Sequence, residues 1–185
     1  MTRVIAGSAK GRHLVTPEGM NTRPTTDRLK EALFGMIQFD LAGSSFLDLF
    51  AGSGQMGIEA LSRGASSLVL VEQDPRALSC IRRNLQTTGF GKQSRLISAS
   101  VERIIPMLQK EGLKFDLIFM DPPYDHGFEK KIGELIAEHD LLSEDGMLII
   151  ESSSGTEVEL SGLSRIREKT YKTTRFTFFE RLENQ

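Results

Sequence analysis

Asp121-Pro122-Pro123-Tyr124 follows without interruption on the apolar run "FDLIFM". Asp121 can accept a hydrogen bond from an exocyclic NH₂ group, and so can the carbonyl of Pro122. The two prolines fix φ and remove backbone N–H donors that would compete for those acceptors. Tyr124 offers a face on which a base stacks, worth about 1–3 kcal/mol in typical single-strand binding sites. Such a clamp suits transfer of a methyl group to nitrogen. The lone pair of a base amine is delocalised into the ring, and holding both amine hydrogens turns it toward an electrophilic methyl. Most of the gain then comes from orientation, for which about 7–11 kcal/mol is available when reacting atoms are well placed. No strong general base is needed. The plain alternative is a turn that merely ends a strand; the glycine loop and acidic residue upstream weigh against it.

That loop is "LDLFAGSGQMG", residues 47 to 57. Gly52, Gly54 and Gly57 satisfy G-x-G-x-x-G, a pattern that serves a dinucleotide and S-adenosylmethionine (SAM) alike. Gly52 and Gly54, on either side of Ser53, would let backbone amides approach a ligand without an intervening side chain. Glu72, eighteen positions after Gly54, ends the run "SLVLVE". An acidic residue at such a tip holds a ribose diol through its hydroxyls. Both features suit an adenosine ligand and neither separates the two cofactors. Asp48, inside the preceding apolar run, would repel a pyrophosphate and suits the α-ammonium of a methionine moiety; a satisfied structural carboxylate is the equal alternative. The clamp decides for SAM, because a hydride-transfer site with a reducible substrate has little room in 185 residues.

The elements that must position these groups are legible as an alternation. "SFLDLF", "SLVLVE", "SRLISA", "FDLIFM" and "GMLIIE" are apolar nearly throughout, as in strands buried on both faces. Between them "MGIEALSRG", "PRALSCIRRNLQTTG", "VERIIPMLQKEG" and "FEKKIGELIAEHD" repeat apolar residues at helical spacing. This pattern predicts an α/β, mostly parallel sheet with crossover helices, and it puts ligands beyond the carboxyl ends of the strands. "RIREKTYK" and "TRFTFFERL", joined around Thr173, add an antiparallel edge and bring the sheet to seven strands. Phe176 and Phe178 share one face of that last strand and are expected in the core. Upstream, "RVIAG" and "GRHLVT" read as a β-hairpin, "PEGMNTRPT" as a loop and "TDRLKEALFGMI" as a helix. Residues 1–40 thus form an extension, and 41–185 a compact SAM-binding unit.

One cysteine, Cys80, leaves no intramolecular disulfide, and no Cys/His group has metal-ligand spacing, so no metal is expected. Cys80 reads as a small buried apolar residue, and His13, His126 and His139 as surface or polar-core residues. "MTRVIAGSAKGR" lacks the apolar run of a signal peptide, and no stretch is apolar enough to cross a bilayer; a soluble, cytoplasmic protein without membrane contact is expected. The net charge of −2 divides unevenly: +4 over residues 1–30, −9 over 31–162 and +3 over 163–185. Two basic ends around an acidic body suit a polyanion, although on charge alone solvated charged faces are the slightly better explanation.

These residues together resemble the bacterial RsmD-type 16S rRNA (guanine-N2) methyltransferases. The resemblance runs through "RVIAGSAKGRHL", "TRPTTDRLKEALF", "FLDLFAGSG", "VEQD", "DPPY" and "GMLIIE". The loop and clamp are shared by many amino-methyltransferases; "RPTTDRLKEALF" is the more specific part. It implies a Rossmann-like SAM-dependent methyltransferase fold and methyl transfer from SAM, leaving S-adenosylhomocysteine, to the N2 amine of one guanine. The substrate would be 16S rRNA in an assembled or partly assembled small ribosomal subunit, and the enzyme a monomer. Asp121, Pro122, Pro123 and Tyr124 would clamp the target base. Asp48, Gly52, Ser53, Gly54 and Glu72 would hold the cofactor, with Ser100 a polar contact near the adenine. Arg3, Lys10 and Arg12 on the hairpin would meet rRNA phosphates, and Arg23, Thr25 and Arg28 would border the cofactor or target nucleotide. Competing readings are a DNA adenine-N6 or protein glutamine-N5 methyltransferase, and a non-catalytic rRNA-binding assembly factor on the same fold.

Overall fold

The computed structural model describes residues 2–17, 26–123 and 127–182. A short antiparallel hairpin, β1 (Thr2–Arg3) and β2 (His13–Leu14), comes first and is followed by α1 (Asp27–Met36). Thr26 caps α1, its Oγ1 accepting the Leu29 N–H at 3.3 Å. Then strands and helices alternate: β3 (Ser45–Leu49), α2 (Gln55–Ser62), β4 (Ser67–Glu72), α3 (Pro75–Thr88), β5 (Ser94–Ser98), α4 (Val101–Lys110), β6 (Phe115–Met120), α5 (Phe128–Glu138) and β7 (Leu142–Ser153). The chain closes with β8 (Leu163–Tyr171) and β9 (Thr174–Arg181).

The seven-stranded sheet has the order β5-β4-β3-β6-β7-β9-β8. The β3 to β7 pairings are all parallel, and β9 lies antiparallel to both β7 and β8. The expected alternation and the antiparallel edge are therefore both present. The chain leaves β3 in one direction to build β4 and β5 and later returns on its other side to build β6. The strand order reverses between β3 and β6, which puts the crevice at their carboxyl ends.

Strand β7 is longer than the run "GMLIIE" predicts. It begins at Leu142, opposite Phe115, and its register shifts before Met147 pairs with Leu117. Its polar start is held by one carboxylate. Asp116 Oδ1 accepts the Ser143 hydroxyl at 2.8 Å, and Oδ2 accepts both the amide and the hydroxyl of Ser45 at 2.8 Å each. Three neighbouring strands are thus tied together at the end opposite the crevice.

Two apolar layers sandwich the sheet. On one face Phe46, Leu70, Leu117, Phe119 and Ile149 pack with Phe176 and Phe178 beneath α1, α2 and α3. On the other, Leu47, Val71, Ile118 and Ile150 pack beneath α4 and α5. Phe176 and Phe178 are fully buried, as the strand alternation predicts. Val4, Ala9 and Leu14 of the N-terminal segment join the first layer alongside Leu33 and Phe34 of α1. Cys80 is half-buried rather than enclosed, because its place on α3 borders the solvent-facing side.

Candidate active site

Three carboxylates stand at or near the carboxyl ends of adjacent parallel strands: Asp48 in β3, Glu72 at the tip of β4 and Asp121 just past β6. The chain turns out of β3 at Phe50, whose φ is 63°, and reaches Gly54, the N-cap of α2, at φ 76°. A Cβ at Gly54 would also stand 3.1 Å from Leu70 Cδ2 and 3.3 Å from Ile81 Cγ1. Glycine is required there by both conformation and space.

Glu72 fastens this loop. Its Oε2 accepts the Gly52 N–H at 2.8 Å, while Oε1 accepts the amides of Gln73 and Asp74 at 2.7 and 2.9 Å. Oε1 has both lone pairs engaged and Oε2 keeps one, enough for a hydroxyl donor. Nothing lies within 4 Å of where a Cβ on Gly52 would sit, so the loop face there is open for a ligand to approach the backbone.

Asp48 is buried, and its Oδ2 accepts the Gly57 N–H at 2.9 Å. Burial raises its pKa to about 7; the Gly57 N–H works against this, and the charges of Glu72 and Asp121 add to it. Both readings of Asp48 draw support from this geometry. It fixes the first turn of α2, and it is a carboxylate that a cationic ligand would favour in its ionised form. Gly57 packs so closely that a Cβ would stand 2.5 Å from Leu68 Cδ1.

Asp121 is half-buried, Pro122 buried and Pro123 exposed. Burial raises the Asp121 pKa to about 7, and the carboxylate of Glu129 in the first turn of α5 adds to the rise. Glu129 is itself only 5% exposed, and no described residue donates a hydrogen bond to it. The ring of Phe50, in the glycine loop, meets that of Phe128 edge-on, with centroids 5.5 Å apart and planes at 66°. This contact joins the loop side of the crevice to the start of α5. Ser100 sits at the N-cap of α4 beyond β5, and its side chain makes no capping bond. Tyr124, His126, Arg23 and Thr25 lie outside the described residues.

The N-terminal segment is fastened to the same region by buried polar groups. Asn84 of α3, 1% exposed, accepts the Val15 N–H at 2.8 Å and donates to the carbonyls of Val15 at 2.9 Å and Ser53 at 2.8 Å. Thr2 Oγ1 donates to Gln55 Oε1 at 2.9 Å, next to Gly54. Lys30, fully buried, donates to the Arg3 carbonyl at 2.5 Å and to Thr2 Oγ1 at 3.3 Å. Glu59 of α2 accepts the amides of Ile5 and Ala6 at 2.8 and 3.0 Å. Burial lowers the Lys30 pKa, and the charges of Glu59 and Asp27 oppose that.

Among the residues expected to meet RNA, Arg3 is paired with Asp27 at 2.9 Å, which ties the hairpin to α1. Lys10, Arg12 and Arg28 are exposed, and no described carboxylate pairs with them. Glu129, Asn84, Phe50 and Phe128 are the site neighbours that spacing alone does not single out. Among the described residues, no group of His, Cys, Asp or Glu could hold a metal ion, and no helix is long and apolar enough to cross a membrane.

A family model described as "Conserved hypothetical protein 95" matches residues 2–180. YlbH of Bacillus subtilis (strain 168) is 39% identical over 181 residues, covering 97% of this chain and 98% of its own. Ribosomal RNA small subunit methyltransferase D of Escherichia coli (strain K12) is 30% identical over 181 residues, covering 97% and 89%. Among solved structures, the hypothetical protein TTHA0928 of Thermus thermophilus superposes with a TM-score of 0.85 at 30% identity, over 97% of this chain and 99% of that one. SMU.776, a structure complexed with SAH, shares the fold at a TM-score of 0.63 and 16% identity, over 80% of this chain and 49% of that one.

Proposed function

The chain belongs to the Conserved hypothetical protein 95 family, the RsmD family, and on that footing we propose that it is a SAM-dependent rRNA methyltransferase acting on the N2 amine of a guanine in the small ribosomal subunit. The observation that carries this reading is the convergence of Asp48, Glu72 and Asp121 on one crevice, beside a glycine loop and at the head of Asp-Pro-Pro. SAM bears a sulfonium and an ammonium against one carboxylate, so a crevice rich in carboxylates is complementary to it.

The residues present fit such a ligand. The open face at Gly52 would admit it to the loop backbone, the remaining lone pair of Glu72 Oε2 would accept a ribose hydroxyl, and Asp48, buried beneath the loop, would supply negative charge toward the cationic end. When bound, SAM supplies the methyl group as a sulfonium electrophile. Asp121 and the Pro122 carbonyl hold the two hydrogens of the target amine, which directs the nitrogen lone pair at the methyl carbon, and the Asp121 carboxylate takes the proton that the nitrogen sheds on methylation. The half-buried setting of Asp121 excludes water that would compete for the same amine. The base reaches Asp121 only when unstacked or already exposed in a loop. Tyr124 supplies the stacking face in this reading, and Ser100 a polar contact near the adenine.

The test is incubation with methyl-labelled SAM and unmethylated small subunits, followed by digestion and identification of the labelled nucleoside by mass and retention. N2-methylguanosine is the expected product. A label confined to another nucleoside, to DNA or to protein, or no label despite SAM binding, overturns the reading.

A further inference from the structure

The C-terminal strands outrun the rest of the sheet. Met120, the last residue of β6, pairs with Ile150, but β7 continues to Ser153, where it meets Thr174, which in turn pairs with Tyr171. Three more residues at about 3.3 Å each carry these strands about 10 Å beyond the tip of β6. β8 lies three strands to the side of β6 in the sheet order, about 14 Å at ordinary strand spacing. The β8–β9 turn therefore stands as a wall on the Asp121 side of the crevice.

The charge on that wall is one-sided. Arg167 and Lys169 pair in register with Phe178 and Phe176, so they project on the face covered by α1. The Arg167 guanidinium lies 5.3 Å over the Phe178 ring and reaches the Met36 carbonyl, in the last turn of α1, at 3.5 Å. Glu168, the one acidic residue of β8, is occupied by Arg165 at 3.3 Å and Arg175 at 4.0 Å. Arg167, Lys169 and Lys172 are exposed, and among the described residues none has a carboxylate partner.

We propose that Lys169 and Lys172, with Arg167 below them on the same face of β8, form a phosphate-binding wall that holds the rRNA strand flanking the target nucleotide. The inference rests on the rRNA reading above. It assigns the +3 charge of residues 163–185 to the substrate, on the side of the crevice away from β4 and β5. Each cation that displaces counterions from a phosphate adds about 0.7 to 0.9 to the slope of log affinity against log salt.

The experiment compares wild type with the double variant Lys169→Gln/Lys172→Gln in binding to unmethylated small subunits across a salt series. SAM affinity and Tm are measured in parallel. The expected result is subunit affinity lowered about tenfold and a salt slope shallower by about 1.5, with SAM affinity and Tm unchanged. Affinity and slope equal to wild type, in a preparation that does methylate the subunits, overturn the wall alone. Weaker binding at an unaltered slope also overturns it, because the lost contact is then to something other than phosphate. A wild type that neither binds nor methylates subunits removes the rRNA reading and the wall together.

Discussion

Glu72 accepts the Gly52 amide at 2.8 Å, so the tip of β4 and the loop leaving β3 behave as one unit. A substitution at Glu72 removes a ribose acceptor and releases the loop at the same time. Glu72→Gln leaves one carbonyl oxygen to serve three amide donors and turns an NH₂ toward one of them. Glu72→Gln should weaken SAM binding by about tenfold and Glu72→Ala by more, since an unmade hydrogen bond to a buried donor costs about 1–3 kcal/mol. Isothermal titration gives the answer directly; an Ala variant that binds SAM like wild type would show that the carboxylate is only a surface feature.

Asp48 makes stability depend on pH in a stated direction. Its pKa rises from 3.8 unfolded to about 7 folded, so the folded chain binds the proton more tightly. The associated stability is fully present below about pH 4 and is lost as pH rises through about 7. Asp48→Asn removes this titration and keeps an oxygen to accept the Gly57 N–H. The variant should melt higher than wild type at pH 8 and nearly level with it at pH 5, while binding SAM more weakly. Equal shifts in Tm at the two pH values would contradict the assignment.

Asp121 must be an acceptor to hold the target amine, and its pKa is raised to about 7, first by burial and then by Glu129. Single-turnover methylation should therefore increase with pH up to a plateau above about 7. Glu129→Gln removes the neighbouring negative charge but not the burial. Its profile should keep its shape and move to lower pH. A midpoint that stays in place would mean that the Glu129 carboxylate does not act on Asp121.

Gly57 tests the packing beneath the loop. Its missing Cβ leaves room for Leu68 Cδ1, which would otherwise stand 2.5 Å away, and for Asp48 Oδ2 at 3.2 Å. Gly57→Ala should destabilise the protein by about 1–3 kcal/mol through overpacking, measured by denaturant unfolding, and weaken SAM binding as the Asp48 contact is displaced. An Ala variant as stable as wild type would mean that α2 can shift outward freely.

The parallel body of the fold was legible because buried strands and amphipathic helices differ in period, and because "AGSG", Glu72 and Asp-Pro-Pro stand at junctions between them. What the spacing could not reveal is held by pairs far apart in sequence. Asn84 bonds to Val15 and Ser53, and Glu59 to Ile5 and Ala6, across 31 to 69 positions. A side-chain amide within "CIRRNLQ" carries no local mark of such a partner. Glu129 was hidden in the same way, as one charge among several in "FEKKIGELIAE", until the packing of α5 buried it. The polar start of β7 reads as a loop because its pairing depends on Asp116, a residue of a different strand. Arg3, a hairpin cation expected to meet RNA, carries no local mark of Asp27, twenty-four positions later, which comes round to pair with it.

Strand β8 leaves one long rim of the sheet without a neighbouring strand among the described residues, and such a rim invites a second copy of the chain to add to it. Two copies meeting there antiparallel, about a twofold axis, would bring Arg167 and Lys169 of one strand against the same residues of the other. The repulsion between these rows, acting where water would be squeezed out, works against edge-to-edge self-association. The residues that would grip a polyanion would thus also oppose extension of the sheet beyond seven strands.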